Sequence, residues 1–180
     1  MRSQNQRKEV ISKDVEVLCR FADTGSLVQG EIDRFYLMKI AEPNYLFIYG
    51  TLRTGVSNPV RKEIMNDVEL IGQSVIRGKM YDIGRYPGAV RGSDKEPGSI
   101  IGEVLKIMHP KKVLRILDQY EGFDPEMPES SEYRRDLIPV QLPKGKEVLA
   151  WVYWYNFPVE GKRRIRNNDY LDYLKTKKSS

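Results

Sequence analysis

The sequence predicts an α+β fold that contains a closed or nearly closed sheet with helices at its rim. This class is indicated first by short runs of β-branched and aromatic residues that recur after residue 44, separated by glycine- or proline-bearing turns. It is indicated second by the small number of segments in the same region with helical spacing of apolar residues. The predicted strands are residues 45–49, 70–76, 78–83, 100–107, 137–142 and 148–155.

Two helices are predicted between these strands from their start and stop signals. Asn58 followed by Pro59 indicates the start of a helix of about two turns, because asparagine caps a helix N-terminus and proline fits its first turn. Pro110 indicates the start of a second helix over residues 110–120, whose apolar residues form one packed face. Gly122 is placed to end that helix.

The length of 180 residues and the hydrophobic content of 40% suit one folded domain. We expect this domain over residues 45–160, between an N-terminal extension of residues 1–44 and a basic C-terminal segment of residues 161–180. Apolar residues at roughly helical spacing predict a short helix within residues 10–21, and a second is predicted over residues 31–41. The extension is interpreted as an appendage or interaction arm.

The net charge of +5 is concentrated near the C-terminus, because residues 162–178 alone carry the same net charge and the remainder is close to neutral. We interpret these residues as a solvated tail, since a basic groove through the fold would distribute the charge differently. Nucleic-acid binding is therefore not expected. Nucleic-acid association through residues 162–178 is an alternative function. It predicts binding to nucleic acid that collapses with salt.

Composition also argues against several other classes of protein. No apolar stretch approaches the ~20 residues that span a bilayer, and no signal-type apolar core follows the N-terminus, so we expect a cytoplasmic protein without membrane contact. With one cysteine, Cys19, and one histidine, His109, neither an internal disulfide nor a Cys/His zinc site is expected. Both are interpreted as structural residues. No glycine-rich nucleotide motif is present, so phosphate and dinucleotide binding have no positive support.

The first candidate for a functional element is the turn that follows the first predicted strand. The strand is an unbroken run of β-forming residues, as in a strand buried on both faces, and it is closed by Gly50. Glycine permits backbone angles closed to other residues and lets the following amides approach a ligand, so residues 49–52 can form an anion-binding nest. The alternative is that Gly50 marks only a turn.

The second candidate is Glu121, at the end of the second predicted helix. A helix C-terminus carries partial negative charge, so a carboxylate there is mildly unfavourable and is biased towards its protonated form. Helix stability therefore does not explain this residue. Two interpretations stay open: an acid/base in a site, or a solvated surface glutamate beside the cap at Gly122.

Several short motifs follow one another along the sequence, and the two candidates are separated by roughly seventy residues. They are Tyr-Gly-Thr-Leu-Arg at 49–53 with Asn58 after it, Gly-Lys-Met-Tyr at 78–81, Tyr-Pro-Gly at 86–88, Gly-Glu-Val at 102–104, Leu-Asp-Gln-Tyr-Glu-Gly at 117–122, and Tyr-Arg-Arg at 133–135. This pattern resembles the γ-glutamylcyclotransferase-like superfamily, which includes γ-glutamylamine cyclotransferases and plant avirulence-induced proteins. The Thr-Leu-Arg form is closer to the γ-glutamylamine branch.

The resemblance implies a mixed, largely antiparallel sheet curled into a small β-barrel with a few flanking helices. It also implies an enzyme of transferase or lyase type that uses no cofactor or metal. In this family the α-amine of a γ-glutamyl amine or peptide attacks its own γ-carbonyl, which releases 5-oxoproline and the free amine. The implied partner is therefore a small γ-glutamyl molecule, whose leaving group the sequence does not identify.

The resemblance assigns Glu121 as the catalytic acid/base. The amides after Tyr49 are implied to hold either the substrate α-carboxylate or the oxyanion formed at the γ-carbon. Tyr133 matches an aromatic position of the family after the catalytic segment. Its side chain either bounds the pocket, donates its hydroxyl to the substrate, or only packs. The substrate-binding residues implied in this way are Tyr49, Gly50, Thr51, Leu52 and Tyr133.

The main alternative function is a non-catalytic module of the same fold that binds a small ligand or a protein. The position of Glu121 distinguishes the two, because an enzyme needs this carboxylate to face a cavity near the Gly50–Leu52 amides. A carboxylate that points to bulk water favours the binding module.

Overall fold

The structure is a computed structural model that describes residues 43–93, 98–143 and 145–178. The helices predicted within residues 10–21 and 31–41, together with Cys19, lie outside the described residues. The strands are β1 (Tyr45–Ile48), β2 (Val68–Ile76), β3 (Lys79–Asp82), β4 (Pro87–Val90), β5 (Ile100–Ile107), β6 (Tyr133–Gln141), β7 (Glu147–Tyr155) and β8 (Arg163–Ile165). The helices are α1 (Pro59–Ile64), α2 (Pro110–Glu121) and α3 (Tyr170–Lys178), with 3-10 turns at Met65–Asp67 and Pro128–Ser130.

The strands form two sheets, one of five strands in the order β2-β5-β1-β7-β6 and one of three strands in the order β4-β3-β8. In the larger sheet β1 is central, antiparallel to β5 and parallel to β7. The other pairs in both sheets are antiparallel. The prediction of an α+β fold with a mixed, largely antiparallel sheet is confirmed.

The prediction that the sheet curls into a small β-barrel is wrong, because neither sheet closes within the described residues. The two edges of the larger sheet do approach each other. The Ser74 hydroxyl on β2 donates a 2.6 Å hydrogen bond to the Gln141 carbonyl on β6. A bulge between Leu70 and Gly72 bends β2 at this edge. No backbone ladder joins β2 to β6 in the described part, so the sheet stays open.

The core lies on both faces of the larger sheet, and β1 contributes to each face. Leu46 and Ile48 point towards α1 and α2 and pack with Ile64, Val113 and Leu117. Phe47 points to the opposite face, where the cluster includes residues of the smaller sheet and of α3, namely Met80, Ala89, Ile165, Tyr170 and Tyr173. The predicted burial of this strand on both faces is therefore confirmed.

The helix boundaries follow the signals in the sequence. The Asn58 side chain accepts a 3.1 Å hydrogen bond from the Arg61 amide, and Pro59 occupies the first turn of α1. Gly122 ends α2 with φ of 62°, in the left-handed region that glycine adopts without strain, and its amide donates to the Asp118 carbonyl. The direction in which the chain leaves α2 is thereby set.

The C-terminal segment departs from the interpretation as a solvated tail. Residues Arg163–Ile165 form β8, which pairs with β3, and Ile165 is fully buried. Tyr170 and Tyr173 of α3 are also buried. The segment was not predicted because most of its side chains are charged or polar and only Ile165, Tyr170 and Tyr173 are buried among its described residues.

The strand β4 was not among the predicted strands, because the Pro87-Gly88 pair at its start is typical of a turn. Proline is compatible with the first residue of an edge strand, and β4 lies at the edge of the smaller sheet.

No helix among the described residues is long and apolar enough to cross a membrane.

Candidate active site

A cavity of about 120 Å³ lies where the end of β1, the C-terminal end of α2 and the start of β6 meet. Every candidate residue from the sequence analysis lines it, and so do several others. The lining residues are Phe47, Ile48, Tyr49, Gly50, Thr51, Leu52, Tyr86, Pro87, Tyr120, Glu121, Glu132, Tyr133 and Tyr153. The structure thus places Glu121 and the turn after β1 in one cavity.

The turn after β1 is closed by a 3.1 Å hydrogen bond from the Arg53 amide to the Gly50 carbonyl. Within the described part of the chain, the amides of Gly50, Thr51 and Leu52 donate to no other residue. They are therefore available to a ligand at the cavity wall.

Gly50 is required for close packing and not, as predicted from the sequence, for an unusual backbone angle. Its φ is not positive, whereas a Cβ at this position would lie 2.8 Å from the Pro87 Cγ. A side chain at residue 50 would push the turn away from β4. Glycine at this position therefore keeps the wall of the cavity in place.

Glu121 is the last residue of α2, and its partly buried side chain lines the cavity without a hydrogen bond or ion pair to another described residue. Burial raises the pKa of Glu121 to about 8, and the charge of nearby Glu132 acts in the same direction. A carboxyl group with this pKa exchanges a proton near neutral pH, as a general acid/base must.

The helix that carries Glu121 is fixed to the sheet by a polar contact and by packing. The Asp118 carboxylate accepts a 2.6 Å hydrogen bond from the Tyr153 hydroxyl and lies 3.0 Å from the Arg135 guanidinium. Leu117 is fully buried one residue earlier. Since Asp118 is one turn before Glu121, these contacts set the face of α2 that the catalytic candidate occupies.

Two buried tyrosines close the interior of the cavity. The Tyr49 hydroxyl donates a 2.7 Å hydrogen bond to the Tyr153 carbonyl, and the Tyr133 hydroxyl donates one of 3.0 Å to the Pro87 carbonyl. Burial raises the pKa of both hydroxyls, so both keep their protons. Because each proton is already engaged, these hydroxyls can accept a hydrogen bond from a ligand, and Tyr133 bounds the cavity.

Tyr120 was not selected from the sequence, although it precedes Glu121 directly. Its hydroxyl lies 3.0 Å from the Thr51 hydroxyl and accepts a 2.9 Å hydrogen bond from the Asn58 side chain. These contacts connect the turn after β1, the cap of α1 and the end of α2. The presence of Asn58 in the motif pattern was the available signal for this connection.

Glu132 and Tyr86 were also not selected, and they form a pair at the cavity. The Tyr86 hydroxyl donates a 2.5 Å hydrogen bond to the Glu132 carboxylate, which raises the pKa of Tyr86 to about 12. The Glu132 amide donates a 3.2 Å bond to the Gly122 carbonyl, so the residue is held beside the end of α2. The lining residues include two carboxylates and no lysine, arginine or histidine.

A buried arginine stabilises the turn after β1. Arg53 is 1% exposed and forms a 2.7 Å ion pair with Asp169, just before α3. Its Nε lies 3.6 Å from Glu103, whose other oxygen accepts hydrogen bonds from the amide and hydroxyl of Thr54, at 3.0 and 2.9 Å. The buried charges thus hold the turn against β5 and the C-terminal segment.

His109, interpreted from the sequence as a structural residue, lies apart from the cavity. The His109 imidazole is 2.7 Å from the Asp67 carboxylate, and neither residue lines the cavity. Among the described residues, no group of three or more histidine, cysteine, aspartate or glutamate side chains could hold a metal ion.

The family model described as "Gamma-glutamyl cyclotransferase, AIG2-like" matches residues 46–172, which include the cavity, β8 and the first residues of α3. The γ-glutamylcyclotransferase family protein YtfP of Escherichia coli K12 is 35% identical over 128 residues, covering 71% of this chain and 96% of that protein. A putative γ-glutamylcyclotransferase of Methanocaldococcus jannaschii is 30% identical over 131 residues, covering 72% and 97% of the two chains.

Solved structures show the same fold. The solution NMR structure of ytfP from Escherichia coli has a TM-score of 0.50 and 34% identity, covering 72% of this chain and 98% of that one. The crystal structure of YkqA from Bacillus subtilis has a TM-score of 0.57 and 25% identity, covering 76% of this chain but 43% of that chain. This chain belongs to the AIG2-like γ-glutamyl cyclotransferase family, and the prediction of an enzyme of this type is confirmed.

Proposed function

We propose that the protein converts a γ-glutamyl amine or peptide into 5-oxoproline and the free amine, with Glu121 as the acid/base. The observation that carries this proposal is the position of the Glu121 carboxylate, which lines one cavity with the unpaired amides of the turn after β1. That position is the one required of an enzyme. A carboxylate directed to bulk water would have favoured the binding module.

The reaction needs two protons to leave the substrate α-ammonium group, which becomes the ring N–H, and the leaving nitrogen to be protonated. Ionised Glu121 accepts the first proton, the α-nitrogen attacks the γ-carbon, and a new C–N bond closes the five-membered ring. Glu121 gives this proton to the leaving nitrogen as the original amide C–N bond breaks, and the second proton of the attacking nitrogen follows by way of the same carboxylate, so the amine departs as an ammonium ion. Atoms balance without water, and no metal or cofactor is needed in this scheme.

The cavity contributes by holding the substrate in a folded conformation. Because the attacking and attacked groups belong to one molecule, correct positioning can supply effective molarities of ~10⁵ M or more. The amides of Gly50, Thr51 and Leu52 bind an anionic oxygen of the substrate, either the α-carboxylate or the oxyanion at the γ-carbon. The buried rings of Tyr49 and Tyr133 exclude water from the reacting group.

The test is incubation of the full-length protein with γ-glutamyl amines, γ-glutamyl amino acids and glutathione, followed by quantification of 5-oxoproline. Glu121→Gln keeps the shape of the side chain but cannot accept the proton, so we expect turnover to fall by about 10²-fold or more. The matched control is Glu160→Gln, at an exposed glutamate outside the cavity, which should keep wild-type turnover.

Two results would contradict the proposal. A wild-type protein that turns over no member of the panel would favour the non-catalytic binding module. Undiminished turnover by a folded Glu121→Gln variant would remove the acid/base role.

A cytoplasmic location and the lack of nucleic-acid binding stay predictions from the sequence.

A further inference from the structure

The cavity is too small to enclose a large substrate. Its volume of about 120 Å³ is below the ~300 Å³ or more of sites that bury a drug-sized ligand. The γ-glutamyl unit, common to all substrates of the proposed reaction, must occupy the interior beside Glu121. The leaving amine must then extend past the more exposed lining residues.

Exposure identifies those residues. The interior is lined by Phe47, Tyr133 and Tyr153, which are at most 4% exposed. The more exposed lining residues, which surround the cavity mouth, are Gly50, Thr51, Tyr86, Tyr120, Glu121 and Glu132. Among them Tyr86 and Glu132 are joined by their 2.5 Å hydrogen bond and form one side of the mouth.

The charged side chains that line the cavity are both carboxylates, and Arg85, which is close enough to act on Tyr86, lies outside the lining. Tyr86 donates to the Glu132 carboxylate without neutralising it, and the lining contains no lysine, arginine or histidine. Glu132 forms no ion pair with another described residue. A carboxylate on the leaving group would be repelled there, whereas an ammonium group would be attracted.

We propose that Glu132, oriented by Tyr86, is a specificity-determining residue that selects γ-glutamyl substrates whose leaving amine carries a second, positively charged group. This inference rests on the proposed function. Glu132 is a separate residue from the acid/base, although its charge also contributes to the raised pKa of Glu121. Its proposed effect on the choice of leaving group is therefore measured as a ratio between substrates.

The test uses three γ-glutamyl amides that differ only in the charge at the far end of the leaving group. They are the amides of 1,4-diaminobutane, 1-aminopentane and 5-aminopentanoate, which end in an ammonium, a methyl and a carboxylate group. For the wild-type protein we expect kcat/KM to fall in that order, by about fivefold to tenfold at each step in low salt. Added salt should compress the series.

In Glu132→Gln, the ratio of kcat/KM for the cationic substrate to that for the neutral one should approach one. The ratio is informative because Glu132→Gln also changes the environment of Glu121, an effect that both substrates share and that cancels. Tyr86→Phe should reduce the ratio partly, since the carboxylate remains but is less fixed. Glu126→Gln, an exposed change in the same loop, should keep the wild-type ratio.

The outcomes separate this inference from the proposed function. If 5-oxoproline forms from all three amides in a Glu121-dependent reaction without a charge preference, the role of Glu132 is wrong and the proposed function stands. The same holds if Glu132→Gln keeps the wild-type ratio. If no amide is turned over, the proposed function fails and the inference falls with it.

Discussion

The Tyr153 hydroxyl on β7 donates a 2.6 Å hydrogen bond to the Asp118 carboxylate on α2, and so joins the sheet to the helix that ends in Glu121. The Asp118 side chain is 17% exposed, and this partial burial raises the pKa of Asp118. A hydrogen bond in such a position constrains the helix more than an exposed one. The catalytic candidate is therefore positioned from one turn earlier in its own helix.

Tyr153→Phe should reduce both stability and turnover. The change removes the donor and leaves Asp118 with the Arg135 ion pair alone, so we expect the free energy of unfolding to fall by about 1–2 kcal/mol. Turnover should fall about tenfold, because α2 is less firmly held. Urea unfolding and the 5-oxoproline assay measure the two effects. Tyr45→Phe, whose hydroxyl bonds to no other described residue, should change neither.

Gly50→Ala should lower activity because the added Cβ would meet the Pro87 Cγ at 2.8 Å. The turn must move away from β4, which we expect to cost about 1–3 kcal/mol and at least tenfold in kcat/KM. Pro87→Ala removes the obstructing atoms, so the double variant should recover part of the loss. Strictly additive effects of the two changes on kcat/KM would argue against this contact as the cause.

The raised pKa of Glu121, about 8, predicts opposite trends of activity and stability with pH. The ionised form is the base, so kcat/KM should rise with pH and level off above about pH 8. The folded state binds the proton more tightly than the unfolded state does, so stability is highest below the unfolded pKa and is lost as pH rises through about 8.

Glu121→Gln tests the trend in stability. Removing the ionisable group should leave a protein that, relative to wild type, gains at most about 4 kcal/mol between pH 5 and pH 9. Urea denaturation at several pH values gives the difference. An unchanged difference across this range would show that the carboxylate is solvated in the folded protein.

Arg53→Met should destabilise the fold strongly, because it leaves the Asp169 and Glu103 carboxylates without their buried partner. We expect a loss of about 3–5 kcal/mol in the free energy of unfolding. Arg134→Met breaks an exposed ion pair with Glu129 and should cost less than about 1 kcal/mol. Similar losses in the two variants would contradict the structural role of the buried arginine.

Local signals in the sequence were enough to predict β1, the start of α1 and the end of α2. The unbroken apolar run before Gly50, the Asn58-Pro59 cap and the glycine after Glu121 act within a few residues of their effect. By contrast, β8 has only three residues and depends on pairing with β3, which lies about eighty residues earlier in the chain. No local pattern carries that information.

The candidate site shows the same division. Glu121 and the turn after β1 were identified through ordered motifs, although neither is persuasive alone. Tyr86 and Glu132 were missed as site residues because they are 46 positions apart and become a pair only in the folded chain. Their contact joins the loop before β4 to the residue before β6, which no periodicity in the sequence indicates.

The ion pair between Arg53 and Asp169 spans 116 positions, from the turn beside the cavity to the start of the last helix. During synthesis on a ribosome, the turn is made long before Asp169, so its arginine lacks this partner for more than a hundred further residues. A nascent chain that still lacks Asp169 cannot complete the support of the turn. The cavity wall beside this turn therefore reaches its final form only after Asp169 has been translated.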